Sequence, residues 1–276
     1  MAETEIRPGQ STELLKALHI LTREGKINQD SRRKLKQVYH LFQFIEPMLE
    51  QLSSDNRAIT LVDHGAGKSY LGFILYDLFF KAKNDASHIY SIETREELVA
   101  RGRELAARAG FSGMSFFPLS VAESIQSPLL PDTVDMVTAL HACDTATDDA
   151  ISFALSKRAR FIVLVPCCQA EVAAVLRRLK GKSLTRDVFS EIWRHPIHTR
   201  EFGSHLTNVL RCLQLEAHGY QVNVTELIGW EHSMKNELII ASQNSDVPRQ
   251  RAAKRLRQVL ADIGLEEMST RFWLPA

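Results

Sequence analysis

The chain lacks most of what would take it out of the ordinary globular class. Its longest apolar runs, such as LGFILYDLFF, are short and broken by Asp77, so none reaches the roughly 20 residues that span a bilayer. The opening MAETEIRPGQ has no apolar stretch and no small-residue cleavage site, which predicts no signal peptide. There are four cysteines, Cys143, Cys167, Cys168 and Cys212, with one adjacent pair and no Cys-x-x-Cys. That pattern fits neither a disulfide framework nor a zinc ribbon, and the expected location is a reducing cytoplasm. Neither sign of charge dominates: the net charge is +1. No global field therefore argues for a polyanionic partner, and only local basic patches remain open. No repeat and no long biased segment interrupts the chain.

What is there is patterning. The 276 residues are 45% hydrophobic and 24% charged, ample for a large buried core. The first fifty or so residues read as helices. Ser11 or Thr12 can cap ELLKALHILTREG, which is expected to end at Gly25; Asp30 or Ser31 can cap the next helix. In that second helix Leu35, Val38, Leu41, Phe42, Ile45 and Leu49 recur at helical spacing, with a kink or break expected near Glu46 because of Pro47. From AITLVDHG onward, short apolar runs alternate with helical segments: SHIYSIET, MSFFPLS, VDMVTALHAC and RFIVLVPCC read as strands. YQVNVTELI and NELIIASQ read as a closing antiparallel pair. Strand–helix alternation predicts a Rossmann-like α/β fold, with a doubly wound, mostly parallel seven-stranded sheet and helices on both faces. The expected organisation is a helical extension over 1–54, a ligand-binding domain over 55–245, and a C-terminal helix and tail over 246–276.

The stretch TLVDHGAGKSYLGF admits three readings. A phosphate-binding P-loop requires a glycine five positions before Gly67, where Val62 stands inside the strand. A dinucleotide fingerprint finds its first two glycines in Gly65 and Gly67 but meets Tyr70 at the third place. An adenosyl cofactor without phosphates needs a sharp turn close to the ligand, an acid before it, and a second acid closing the next strand to hold ribose hydroxyls. Asp63, Gly65-x-Gly67 and Glu93 supply these. The set favours S-adenosyl-L-methionine, although Glu93 alone would serve a nicotinamide ribose equally well.

With VDHGAGKSYLGF, SIET, LHACDTATDDAI, VPCCQAEV, FGSHLTNVLRCLQLEAHGY and EHSMKNELIIAS in this order, the chain resembles class I S-adenosylmethionine-dependent methyltransferases. It is most similar to the branch with Pro-Cys-Cys at a strand end and a late His-Ser/Thr-x-x-Asn. The likeness covers roughly residues 31 to 242. Some members of that branch are tRNA 2′-O-methyltransferases, which carry a glycine where Asp144 stands; Ser69 also departs from a common third glycine. The resemblance implies a cofactor site at Asp63, Gly65, Ala66, Gly67, Glu93, Ser120, Val121 and His141. Ser120 stands where an aspartate usually receives the adenine amino group, with Glu123 as a possible substitute.

Methyl transfer from a sulfonium needs alignment and, for some acceptors, a proton acceptor. Asp144 and His141, after the fourth strand, are the candidates for catalysis. Asp144 reads equally well as a helix N-cap completed by Thr145 and Asp148, and His141 as a contact of the cofactor's methionine end. Cys167 and Cys168 admit a nucleophile, a metal site shared with His141 and Cys143, or buried thiols; the last is the plain reading, and no metal is assigned. His232, Lys235 and Asn236 in EHSMKNELII border the expected acceptor pocket. His195 and His198 lie in a long polar segment suited to a lid, where ordinary surface histidines are expected. Basic residues between Arg23 and Lys36, and in RQRAAKRLRQ, suit either phosphate contacts or solvated helix faces. The expected function is S-adenosylmethionine-dependent methyl transfer with RNA favoured as acceptor and no membrane partner. The rivals are a binding protein without catalysis and a nucleotide-dependent enzyme using GAGKS. Oligomeric state has no signature in the sequence.

Overall fold

Seven strands, alternating with helices until the last two, form one sheet in the order β3-β2-β1-β4-β5-β7-β6. The computed structural model describes residues 6–55, 57–83, 86–140, 142, 144–166, 169–179, 191–227 and 237–272. The strands are β1 Thr60–His64, β2 His88–Ile92, β3 Met114–Phe117, β4 Met136–Leu140, β5 Phe161–Val165, β6 Tyr220–Glu226 and β7 Glu237–Gln243. The first five run parallel, and β7 lies antiparallel between β5 and β6. The helices are α1 Thr12–Ala17, α2 Gln29–Ser54, α3 Tyr70–Leu78, α4 Glu96–Ala109, α5 Val121–Gln126, α6 Thr145–Ser156, α7 Glu171–Leu179, α8 Pro196–Ala217 and α9 Arg249–Ile263. This is the doubly wound architecture expected from the alternation, with the antiparallel pair at one edge.

The two faces of the central strand follow from its period of two. Leu61 packs with Ile89, Met136 and Val163 and with the helices α2, α3 and α4. Val62 packs with Val137, Ile162 and Leu164 and with Ile151 and Phe153 of α6. Asp63 therefore shares the face of Leu61, and His64 the face of Val62. Because β1 is central and its neighbours run parallel, the site-forming ends of β1, β2 and β4 lie together on one edge, where open α/β sheets bind ligands.

The N-terminal segments differ from expectation in detail. Ser11 caps α1, accepting the Leu14 amide, but the helix stops at Ala17 rather than Gly25. His19 takes a φ of 55°, which reverses the chain. Gly25 instead closes a turn in which its amide donates to the Thr22 carbonyl. Asn28, rather than Asp30 or Ser31, caps α2 through its side chain and the Ser31 amide. The expected break at Pro47 is absent: α2 is continuous from Gln29 to Ser54. Leu35, Leu41, Phe42, Ile45, Leu49 and Leu52 are all nearly fully buried. At about 1.5–3 kcal/mol each, their burial outweighs the roughly 3 kcal/mol an interior proline costs.

The segment read as a polar loop before Leu206 is also corrected. Pro196 occupies the first turn of α8, where its missing N–H is harmless and its fixed φ helps, so the helix begins ten residues earlier. His195 sits at its N-cap and His198 in its first turn; both are exposed, with rings 5.3 Å apart. Gly203 lets α8 approach α7: a Cβ there would lie 2.8 Å from the Ala173 backbone. Among the described residues no helix is long and apolar enough to cross a membrane.

Candidate functional site

The loop after β1 is built for close approach. Gly65 and Gly67 take φ of 62° and 56°, and Ser69 follows at 53°. Ser69 thus holds a glycine-like conformation at a cost of about 1–2 kcal/mol. Its hydroxyl, 2.8 Å from that of Ser91 in β2, anchors it there. The close helix–strand contact that a third glycine usually provides falls at Gly72, not at position 70. A Cβ on Gly72 would come within 2.7 Å of the Ser69 hydroxyl and 3.4 Å of that of Ser91. Tyr70 is left partly exposed. The same geometry counts against a nucleotide site, because the serine that would hold Mg²⁺ in a P-loop is buried against Ser91.

Asp63 closes β1 almost fully buried. Register explains its partner: Thr138 stands beside it in β4 and donates its hydroxyl at 2.8 Å. Burial pushes the Asp63 carboxyl up to about 6, against the opposing hydrogen bonds from Thr138 and the Gly72 amide. Glu93, one residue past β2, receives the Gly67 amide at 2.8 Å. It also holds Arg95, whose Nε lies at 2.9 Å and Nη2 at 3.2 Å. Burial works to raise the Glu93 carboxyl, but Arg95 and the Gly67 amide outweigh it and hold it below the ordinary range.

A cavity of about 450 Å³ opens on this loop. Asp63, Gly65, Ala66, Gly67 and Arg95 line one side, and Leu18, Ile20, Val38 and Leu41 from the N-terminal helices line the other. The helical extension thus forms a wall of the site. The residues present fit an adenosyl amino acid: glycines leave room for it, Asp63 in the lining would offer a carboxylate to an ammonium, and Glu93, bound to the lining residues Gly67 and Arg95, would offer one to a diol.

The other anticipated residues are placed as follows. Ser120 caps α5 and is engaged with Glu123 in a reciprocal capping box. The Glu123 carboxylate accepts from the Ser120 amide and hydroxyl at 2.7 and 2.6 Å, so both side chains are committed to the helix start. Val121 begins that helix, half-buried. Asp144 stands at the N-cap position of α6 but makes no capping bond, and its φ of 51° is one that favours glycine. One carboxylate oxygen instead accepts the Ala170 amide at 3.1 Å, joining the loops after β4 and β5. Nor do Thr145 and Asp148 complete a cap. Thr147 donates to the Ala142 carbonyl at 2.6 Å, and Asp148 pairs with Arg211. His141, Cys143, Cys167, Cys168, His232, Lys235 and Asn236 lie outside the described residues.

Sequence reasoning missed two features. His64 is buried beside Phe153 and 3.3 Å from the Ser124 hydroxyl; burial pushes it down to about 4, so it is neutral. Arg211 of α8 has no exposed surface and binds Asp148 through two contacts of 2.7 and 2.8 Å. It also donates to the Asp144 carbonyl at 2.9 Å and to Asn208 at 3.2 Å. Asn208 in turn receives Gln169 at 2.6 Å and donates to Glu237 at 2.8 Å, while Ser204 donates to Gln169. This network ties α8 to the strand ends where Asp144 and Gln169 sit. Cys212 beside it is inert as a nucleophile, its thiol pushed up to about 12 by burial and nearby Glu237 and Glu216.

The sheet order, the reversed β7 and the glycine loop with its two acids define a class I methyltransferase fold. A family model described as a methyltransferase domain matches residues 33–175, a little over half the chain. The chain belongs to this methyltransferase-domain family, in its class I, S-adenosylmethionine-dependent form. It is similar to the glutathione S-transferase C-terminal domain-containing protein of Bos taurus, 23% identical over 235 residues, covering 79% of this chain and 34% of that protein. The Mus musculus counterpart is 24% identical with the same coverage. The chain therefore spans about a third of the length of the curated relatives it matches. Among solved structures, a putative O-methyltransferase from Klebsiella pneumoniae superposes with a TM-score of 0.51 at 13% identity, covering 88% of this chain and 94% of that one. That likeness concerns the fold.

The raised pKa of the buried Asp63 predicts a pH-dependent affinity for a ligand whose ammonium this carboxylate would hold. Its carboxyl is half-protonated near pH 6, and a ligand ammonium binds the ionised form. The ionised fraction rises from roughly a tenth at pH 5 to nearly all at pH 7.5, so affinity for S-adenosylhomocysteine is expected to tighten about tenfold across that range. Calorimetric titration at the two pH values reads this, and Asp63→Asn should flatten the profile. The unliganded fold responds oppositely. A folded pKa of about 6 against an ordinary 3.8 means the native state holds its proton more tightly, so this group's contribution to stability falls as pH rises from 4 to 6.

Proposed function

We propose that the chain transfers the methyl group of S-adenosylmethionine to an RNA acceptor in the cytoplasm. The observation that carries the methyl-transfer reading is the meeting of the Gly67 amide and the Glu93 carboxylate at 2.8 Å beneath a cavity that also takes in Asp63. Asp63, Gly65, Gly67 and Glu93 would hold the cofactor, which brings a methyl group already activated by its sulfonium. The protein's part is alignment: Asp144, held by Ala170 and Arg211, keeps the two loops facing the acceptor in register. The RNA assignment rests on the likeness of LHACDTATD to tRNA 2′-O-methyltransferases and on basic surface near the site.

The test is transfer of tritiated methyl from S-adenosylmethionine onto fractionated RNA, protein and metabolites, alongside titration with S-adenosylhomocysteine and ATP–Mg²⁺. Label in RNA with saturable adenosyl binding supports the reading. Label in another fraction removes RNA as the acceptor. Adenosyl binding without label favours a cofactor-binding protein that lacks turnover, a reading motivated by the Asp144 carboxylate being already committed to Ala170. Binding of ATP–Mg²⁺ in place of the adenosyl ligand removes the methyl-transfer reading.

A further inference from the structure

The cavity on the glycine loop does not end there. A second cavity of about 190 Å³ shares Leu18, Lys68 and Tyr70 with it. A third, of about 670 Å³, shares His19, Leu105 and Arg108 with the second. Together they form one trough that leaves the cofactor mouth over Tyr70 and runs between α1 and α4. Its charged side chains are nearly all of one sign: Lys68, Arg101 and Arg108, then Lys16 and Arg23. Only two carboxylates answer them. Glu13 pairs with Lys16 at 2.7 Å, and Glu104 reaches Arg108 at 3.9 Å, both at exposed positions where such pairs are weak. Lys68, Arg101 and Arg23 are exposed and have no partner among the described residues.

In a chain of net charge +1, five of the 34 lysines and arginines thus line one groove against two carboxylates. Arg101 and Arg108 stand two helical turns apart on α4, about 10 Å, a spacing that suits separate phosphates along an extended strand rather than one compact anion. Tyr70, 38% exposed at the junction with the cofactor mouth, offers a ring on which a base can stack. Cations in a line, an exposed ring and a path to the cofactor loop are the parts of a single-strand nucleic-acid groove.

We propose that this trough carries single-stranded RNA to the site, the phosphates lying along Lys68, Arg101 and Arg108 and a base on Tyr70. This rests on the RNA reading above and assigns it to a surface. The test uses the full chain and a fluorescent single-stranded RNA of about 12 nucleotides, read by polarisation against salt. With three phosphates neutralised, the log–log slope should lie near −2. The double variant Arg101→Ala with Arg108→Ala is expected to weaken RNA binding about tenfold and flatten that slope by about 1.4, with S-adenosylhomocysteine affinity unchanged. Tyr70→Ala should weaken RNA binding severalfold yet leave binding of inorganic polyphosphate, which has no bases, as it was.

Failure to bind RNA while the adenosyl ligand still binds would overturn the trough assignment alone. So would unaltered RNA affinity in the double variant, tighter binding of duplex RNA, or preference for an acidic peptide; the last would give the surface to a protein partner. RNA bound through Arg101 and Arg108 without adenosyl binding would keep the trough and overturn the methyl-transfer reading instead.

Discussion

Replacing Arg211 by leucine is expected to lower stability by about 3–5 kcal/mol, a loss readable as a shift of the urea midpoint followed by tryptophan fluorescence. The size follows from burial. Arg211 has no exposed surface, and Asp148, its bidentate partner, is buried as well. Removing the guanidinium strands a carboxylate in the core, a larger penalty than the pair's net worth. It also takes the Arg211 donor from the Asp144 carbonyl and one of two donors from the Asn208 side-chain oxygen, which keeps Gln169. The double change Arg211→Leu with Asp148→Leu should recover part of the loss, since no charge is then left unpaired. Recovery should stay incomplete, because the Asp144 carbonyl still lacks its donor. A drop no larger than that of an exposed pair, under about 1 kcal/mol, would show that Arg211 is not the buried tie described. In variants that remain folded, methyl transfer should fall more than cofactor affinity. The residues released are Asp144 and Gln169 on the loops after β4 and β5, not the glycine loop.

The sequence was most legible where the information is local. The strands and most of the helices were readable from period, and the glycine turn after β1 from spacing. The seven-stranded sheet with its reversed β7 follows from the strand–helix alternation and its late break. Other features depend on partners far along the chain. Asp148 looks like a cap residue until Arg211, 63 positions later, is seen to claim it. Ser69 looks like a lost glycine until Ser91 is placed beside it. The close-packing glycine was sought at position 70 because a linear pattern was counted, whereas packing against β2 put it at Gly72. The start of α8 lies inside the segment read as a polar loop, although proline is favoured in a first helical turn. Continuity of α2 through Pro47 shows tertiary burial overriding a local rule in the other direction.

Glu93→Ala is expected to weaken S-adenosylhomocysteine binding about a hundredfold, and Arg95→Ala to tighten it severalfold. Both follow from one competition. The Glu93 carboxylate is surrounded by donors: the Gly67 amide on one oxygen, the Arg95 amide and Nε on the other, and Arg95 Nη2 on the first again. A ribose diol needs two acceptor positions on that carboxylate, so it must displace part of the Arg95 guanidinium. Two hydrogen bonds to a charged acceptor at about 1.5 kcal/mol or more each give the hundredfold loss in alanine. The arginine is mostly exposed, its side chain at 59%, so its hold on Glu93 is screened and worth about 1 kcal/mol or less. Freeing the carboxylate from it therefore improves affinity only severalfold. Glu93→Gln separates charge from shape. It keeps one acceptor oxygen while weakening the attraction for Arg95, and should fall between wild type and alanine. The three titrations together decide the role of Glu93. If alanine and wild type bind alike, the ribose lies elsewhere. If Arg95→Ala weakens binding as much as Glu93→Ala does, the guanidinium touches the ligand itself and is a binding group rather than a competitor.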